Sequence, residues 1–204
     1  MRVTPYDQST FFPGQFKEKY TMYEWGHATT ILKHNFSEEF EDIVQVLDNF
    51  QLYKSMITEG GGGKSKVANL FDRPLYAKNW IEKKFDIHLT MDGVEHDTPT
   101  HKIDCVKGRV ALDVEWNNKT EFYDRDLNNF RLLHTLRAIS VGIIITRSTA
   151  LQTDVFNPLG IGKKYGSSTT HIDKLLPKIE GGGAGGCPLL VIGVDPGCYV
   201  DDTV

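Results

Sequence analysis

Three acids stand close together in the stretch KIDCVKGRVALDVEWNNKTE, residues 102–121. Asp104 is followed nine residues later by Asp113, and Glu115 lies two beyond that. The run 109–116 is β-branched and apolar, as a strand requires. Side chains alternate along a strand, so Asp113 and Glu115 share one face, roughly 6.6–7 Å apart. Val110, Leu112, Val114 and Trp116 take the other. A solvent-facing strand shows acids in this pattern too. The alternative is chemical: three carboxylates within twelve residues are what a hard divalent cation needs, Mg²⁺ above all, which binds a few carboxylates and keeps water at its remaining positions.

The flanking elements must hold these acids in place. A helix is expected over residues 38–50, with Ser37 as N-cap and Glu38, Glu39 and Glu41 in its first turn. The piece around residues 29–32 reads as a strand or a short helix. A short helix follows at 67–70, and Pro74 separates it from another at 76–85 that carries Trp80 and Glu82. Residues 86–91 alternate as a strand, Asp92-Gly93 is a turn, and 94–101 reads as polar loop. Residues 123–139 form a helix with a broad apolar surface (Leu127, Phe130, Leu132, Leu133, Leu136, Ile139), which implies packing on two sides. The run 141–146, VGIIIT, is a buried strand. Strand, helix and strand in this order predict a right-handed β-α-β unit with parallel strands. Residues 172–179 form a short helix ended by GGGAGG, and 188–194 a last buried strand.

The chain of 204 residues, 40% hydrophobic, is expected to fold as a single domain, 1–204. Residues 1–21 read as an N-terminal arm, 148–170 as a long functional loop and 197–204 as a polar tail. The net charge of −4 does not announce a nucleic-acid partner, so an anionic ligand would be drawn by a local basic face or through metal ions. Three cysteines with no paired metal spacing suggest free thiols in a reducing compartment, and no apolar run is long enough to span a membrane. The expected location is cytoplasmic. The run GGGGKS, residues 60–65, invites a phosphate-loop reading, but Thr58 stands where that loop needs its first glycine. A flexible glycine loop without a nucleotide cofactor is the reading adopted.

IDCVKGRVALDVEWNN resembles the active-site segment of the PD-(D/E)xK nuclease fold, and more narrowly that of the BglII and BstYI group of restriction endonucleases. Asp104, Asp113, Val114, Glu115 and Trp116 match its spacing. The likeness extends by pattern over most of residues 22–196. There are departures: Ile103 replaces the fold's nominal proline, Asp113 stands where the close relatives carry Glu, and Glu115 occupies the place of a lysine in many such nucleases and of Gln in the nearest ones. The resemblance implies an α/β fold with a mixed central sheet flanked by helices. It implies a type II restriction endonuclease that hydrolyses phosphodiesters with Mg²⁺, for which Mn²⁺ would substitute. Double-stranded DNA and a second copy of the chain are the implied partners, with a short palindrome, one with a GATC core, as the site. A repair or nonspecific nuclease of the same fold, or an inactive DNA-binding module, are the alternatives.

The same resemblance assigns Asp104 and Asp113 as direct metal ligands with help from the Val114 carbonyl, and Glu115 as the residue that holds or deprotonates water or adds a ligand. Glu82 is a fourth acid or an ordinary exposed helix glutamate. Asn117 and Asn118 match positions that bring small polar side chains to base edges, where Asn can pair bidentately with adenine; an Asn-Asn turn is the plainer reading. Lys119 meets a phosphate or is solvated. Gln152, Asn157, Lys163 and Lys164 are further DNA-contact candidates from the long loop. Tyr123–Ile139 is the expected dimer face.

Overall fold

The computed structural model describes residues 3–7, 10–59, 65–98, 100–166 and 168–203. Glycines 60–63 and Lys64 of the glycine-rich run lie outside them. The elements in chain order begin with β1 (Thr4–Pro5), α1 (Phe16–Lys19), β2 (Tyr20–Trp25), α2 (Ala28–Asn35), α3 (Ser37–Asn49), β3 (Leu52–Tyr53), α4 (Lys54–Thr58) and α5 (Lys66–Tyr76). There follow β4 (Ile81–Lys83), β5 (Ile87–Met91), β6 (Val94–Thr98), β7 (Ile103–Lys107), β8 (Val110–Val114), α6 (Glu121–Thr135) and β9 (Val141–Arg147). The chain ends with α7 (Thr149–Leu151), α8 (Ile172–Glu180), β10 (Leu189–Val194) and β11 (Tyr199–Val200).

One seven-stranded mixed sheet runs β1-β2-β10-β9-β8-β7-β4. β8, β9 and β10 are parallel, while β7 and β2 flank them antiparallel. The parallel β8-α6-β9 crossover expected from the sequence is present, with Leu112 beside Ile143. Alternation sorts the core into two layers. Val110, Leu112, Val114 and Trp116 pack with Phe40, Ile43 and Leu47 of α3 and Phe71 of α5. Ala111, Ile144 and Val191 pack on the other face against Tyr123, Leu127, Phe130 and Leu133 of α6 and Leu175 of α8. Gly142 sits where that second layer is tightest: a Cβ there would lie 2.6 Å from Phe130 Cδ2 and 2.7 Å from Leu189 Cδ2.

Several local expectations are corrected. Ser37 opens α3 as its first residue, behind Phe36, and its hydroxyl does not cap the helix. Pro74 lies inside α5 because the buried stripe Val67, Ala68, Phe71, Leu75 carries the helix past it. The chain then turns at Asn79, whose φ of 67° is left-handed, into an edge strand, so Glu82 stands on β4 and not on a helix. Residues 94–98 are a strand, not loop: Asp92 (φ 50°) and Gly93 (φ 81°) form the primed turn that joins β5 to β6. Its strands are exposed on both faces, which hides the alternation that would have marked the second.

The described part of the N-terminal arm is folded in, since Phe12 and Phe16 stack in the core and Thr4–Pro5 pairs with β2. The C-terminal tail is tied down as well: Tyr199–Val200 pairs with β3, and Asp202 accepts from the Ser55 main-chain N–H at 2.9 Å. The broad apolar surface of α6 is mostly covered within the chain by α8 and the glycine turn after it, where Gly183 abuts Leu127. Leu132 is half-buried and Leu136, just past the helix end, is 42% exposed.

Candidate active site

β7 and β8 form a tight hairpin through Gly108, whose φ of 54° favours glycine. Register places Cys105 opposite Leu112, so the next pair outward is Asp104 and Asp113. Each carboxylate accepts from the other strand's main chain: the Asp104 N–H donates to Asp113 Oδ1 at 2.9 Å, and the Val114 N–H to Asp104 Oδ2 at 3.0 Å. The two acids are thereby locked by backbone geometry. Glu115 continues β8, its N–H donating to the Ile145 carbonyl of β9 at 2.9 Å. Asp113 and Glu115 both face α6, as alternation requires.

That helix brings two residues that the sequence reading passed over. Arg125 Nη2 lies 3.2 Å from Glu115 Oε1 and 2.7 Å from Asp126 Oδ1, and its guanidinium sits 4.4 Å over the Phe122 ring. Asp126 is buried beside Glu115. Asn118 Nδ2 donates to Glu115 Oε2 at 2.7 Å. Burial, and then the charge of Asp126, push Glu115 up to about 10. Burial pushes Asp113 well above the usual carboxylate range, helped by Asp126 and Asp104. Asp126 rises by burial, opposed by Arg125. Glu115 and Asp126 thus share a buried hydrogen bond in which the proton is favoured on Glu115.

The acids open onto a cleft of about 650 Å³ lined by Asp104, Val114, Glu115, Trp116, Asn117 and Asn118. Glu82, Phe122, Arg125, Lys164 and Tyr165 complete its walls with the segment around Glu59 and Lys66. Glu82 is exposed and accepts from Lys102 at 2.8 Å. Asn117 has a left-handed φ of 60°, and its Oδ1 is buried without a hydrogen-bond partner among the described residues. Asn118 is committed to Glu115. Lys119 is exposed and bridges to Thr169, while Lys164 Nζ donates to the Ile57 carbonyl at 2.9 Å and to that of Glu59.

The long loop is more ordered than its composition suggests: α7 leads into a π turn, Gln152–Phe156, and then tight turns. Lys163 is exposed and is not among the residues lining the cleft. Gln152 is engaged internally, accepting from Arg147 Nη1 at 3.0 Å and donating to Asn157 Oδ1 at 3.0 Å. Arg147, at the end of β9, is buried and donates also to the Tyr165 carbonyl and, at 2.7 Å, to Thr169 Oγ1. The neighbouring Thr170 closes on the acidic segment through Asn118 and the Glu115 carbonyl.

Whether these residues suit a divalent cation can be judged from the donors. All are hard oxygens, and Asp113 Oδ2 is buried with no hydrogen-bond partner among the described residues, as a waiting ligand would be. Among the described residues, however, no three such side chains already converge on one point, because Glu115 is held by Asn118 and Arg125 instead. The donor set fits in kind.

Asp126 had a signal in the sequence: it is an acid within the apolar stripe Tyr123, Leu127, Phe130 of α6. Arg125 and Arg147 had none, since their roles depend on tertiary neighbours. Residues 20–194 match the family model described as restriction endonuclease BglII/BglIII. No curated protein matches the chain.

Proposed function

Since the chain belongs to the BglII/BglIII restriction endonuclease family and is thus a site-specific deoxyribonuclease, we propose that it cuts both DNA strands at a short palindrome, with Mg²⁺, using Asp104, Asp113 and Glu115. The observation that carries the site is the hairpin pairing of Asp104 with Asp113 at the mouth of the cleft, each carboxylate held by the other strand's main chain. Asp104, Asp113, the Val114 carbonyl and Glu115 are the groups that would hold the ion. When bound, a divalent cation neutralises charge on the scissile phosphate and lowers the pKa of a water.

The chain's own residues prepare this step. Asp104 is presented to the cleft, while Asp113 behind it offers a buried oxygen that nothing else satisfies. Glu115 must first give up its proton before it can accept one from water, and the positive Arg125 beside it favours that loss. Asn118 then keeps the Glu115 carboxylate aimed. Lys119, Lys163 and Lys164 are proposed to meet the DNA backbone, Asn117 to meet bases through its side chain, whose Oδ1 has no partner among the described residues, and Gln152 to do so once DNA displaces its present contacts.

The chain offers one acidic site, and a double-strand break needs two, so a symmetric dimer on a palindrome is the economical arrangement. With α6 largely covered, Leu132 and Leu136 are what remains of its apolar surface for a partner. The resemblance suggests a GATC core. The test is digestion of plasmid DNA with Mg²⁺ followed by sequencing of the ends. Discrete fragments with one palindromic end sequence are expected; a smear or intact plasmid overturns the reading.

A further inference from the structure

Asp104 and Glu115 line the cleft with Asp113 and Asp126 buried behind them, and a DNA phosphodiester entering it meets the repulsion of those acids that carry charge. Three cations line that cleft among the described residues. Lys66 is ion-paired with Glu59, and Lys164 is tied to the carbonyls of Ile57 and Glu59. The third, Arg125, stands among the acids. Its Nε and one terminal nitrogen, Nη2, are occupied by Asp126 and Glu115. Its other terminal nitrogen, Nη1, has no partner among the described residues, and the side chain keeps 29% of its surface exposed. Phe122 under the guanidinium fixes its plane, so little freedom remains to be lost when a ligand binds.

Building on the nuclease reading, we propose that Arg125 binds a non-bridging oxygen of the scissile phosphate through Nη1. The fork geometry suits this: a guanidinium can hold two carboxylates along one edge and still present donors on another. Arg125 also stands next to Glu115, so the same side chain links the phosphate to the group assigned to the attacking water. A lysine here could not make both sets of contacts in one plane.

The competing role is neutralisation of Asp126 and Glu115 alone, and the experiment separates the two. Affinity for a duplex carrying the mapped cleavage site is measured in EDTA for wild type, Arg125→Gln, Arg125→Lys and the double variant Arg125→Gln/Asp126→Asn, each confirmed folded by circular dichroism. The same measurements are made on a duplex with an uncharged methylphosphonate at the scissile position. Loss of one charge-assisted contact should weaken Arg125→Gln on the all-phosphate duplex by roughly 10-fold or more, with Arg125→Lys intermediate. The salt slope should fall by about one. On the methylphosphonate duplex wild type and Arg125→Gln should bind alike, and on the normal one the double variant, relieved of one repelling acid, should regain part of the loss but stay weaker than wild type.

Equal binding of wild type and Arg125→Gln to the normal duplex, a difference that survives the methylphosphonate, or return of the double variant to wild-type affinity would each overturn the assignment. Wild type that cuts plasmid while any of these holds refutes Arg125 alone. Wild type that leaves plasmid intact with Mg²⁺ refutes the nuclease reading and the assignment with it.

Discussion

Replacing Glu115 by Gln should change how stability depends on pH, and by a calculable amount. In the folded protein Glu115 is buried beside Asp126 and pushed up to about 10, against 4.5 for the free side chain. Between those values the folded state keeps a proton that the unfolded state has released. Stability therefore falls as pH rises, at about 1.4 kcal/mol per unit for one proton. This contribution is complete below the unfolded value and is lost as pH climbs toward the folded one. Glutamine can accept from Arg125 with its one oxygen, while its amide nitrogen, in the place of Oε2, can donate toward Asp126 or to a flipped Asn118 amide, and it has no proton to lose. From pH 6 to pH 9 the wild type should thus lose about 4 kcal/mol relative to Glu115→Gln. For a chain of this size that corresponds to a relative drop in Tm of about 8–16 °C. Asp113 and Asp126 add slopes of the same sign to both proteins, and because Asp126 bonds Glu115 the difference reports the pair. The assay is urea unfolding in EDTA at pH 6, 7, 8 and 9. Parallel pH profiles for the two proteins would refute the shared proton and, with it, the account of Glu115 as a group that must be deprotonated before it can act.

Other outcomes follow from the same geometry. Asp104→Asn and Asp113→Asn should each lower cleavage at least about 100-fold while leaving DNA binding measurable, because less negative charge faces the phosphate; near-normal cutting by either would remove it from the site. Glu115→Gln should retain reduced cutting and Glu115→Ala much less, measured as single-turnover rates. Binding of Mg²⁺ should release protons from the raised carboxyls, so its affinity should rise from pH 6 to pH 8 and its calorimetric heat should vary with buffer ionisation enthalpy. Leu136→Glu should weaken dimerisation in sedimentation and double-strand cutting together, with less risk to folding than a change at the buried Leu133.

What the sequence disclosed depends on whether an element's period reflects one environment. β8, β9 and α6 are buried along their length or along one stripe, so strand, helix and parallel crossover could be read directly. The β5–β6 hairpin touches the core only at its base, and its second strand carries no apolar alternation. On sequence, Glu82 reads as part of a short helix at 76–85 together with Trp80. In the structure Asn79 breaks the helix, Trp80 turns inward to donate to Asp42, and Ile81 pairs with Val106. The acidic trio was legible because its spacing is set by one hairpin.

Residues that reach the acids from other elements have no such fixed offset. Arg125 and Asp126 arrive from a crossing helix, and Arg147 from the neighbouring strand, where burial beside the stacked rings of Phe156 and Tyr165 lowers its pKa to about 10. The two terminal nitrogens of Arg147 donate to neutral acceptors, Gln152, Tyr165 and Thr169, all in the loop that follows β9, while its buried Nε has no partner among the described residues. Among the described residues this buried cation hydrogen-bonds to that loop alone, which ties the loop's position to the strand next to β8. Thr170 then carries the same loop to Asn118 and Glu115. Under the proposed function, a shift in residues 152–166 on meeting DNA would pass through a short run of hydrogen bonds to the Glu115 carboxyl group, a physical route by which the loop would make chemistry depend on what it contacts.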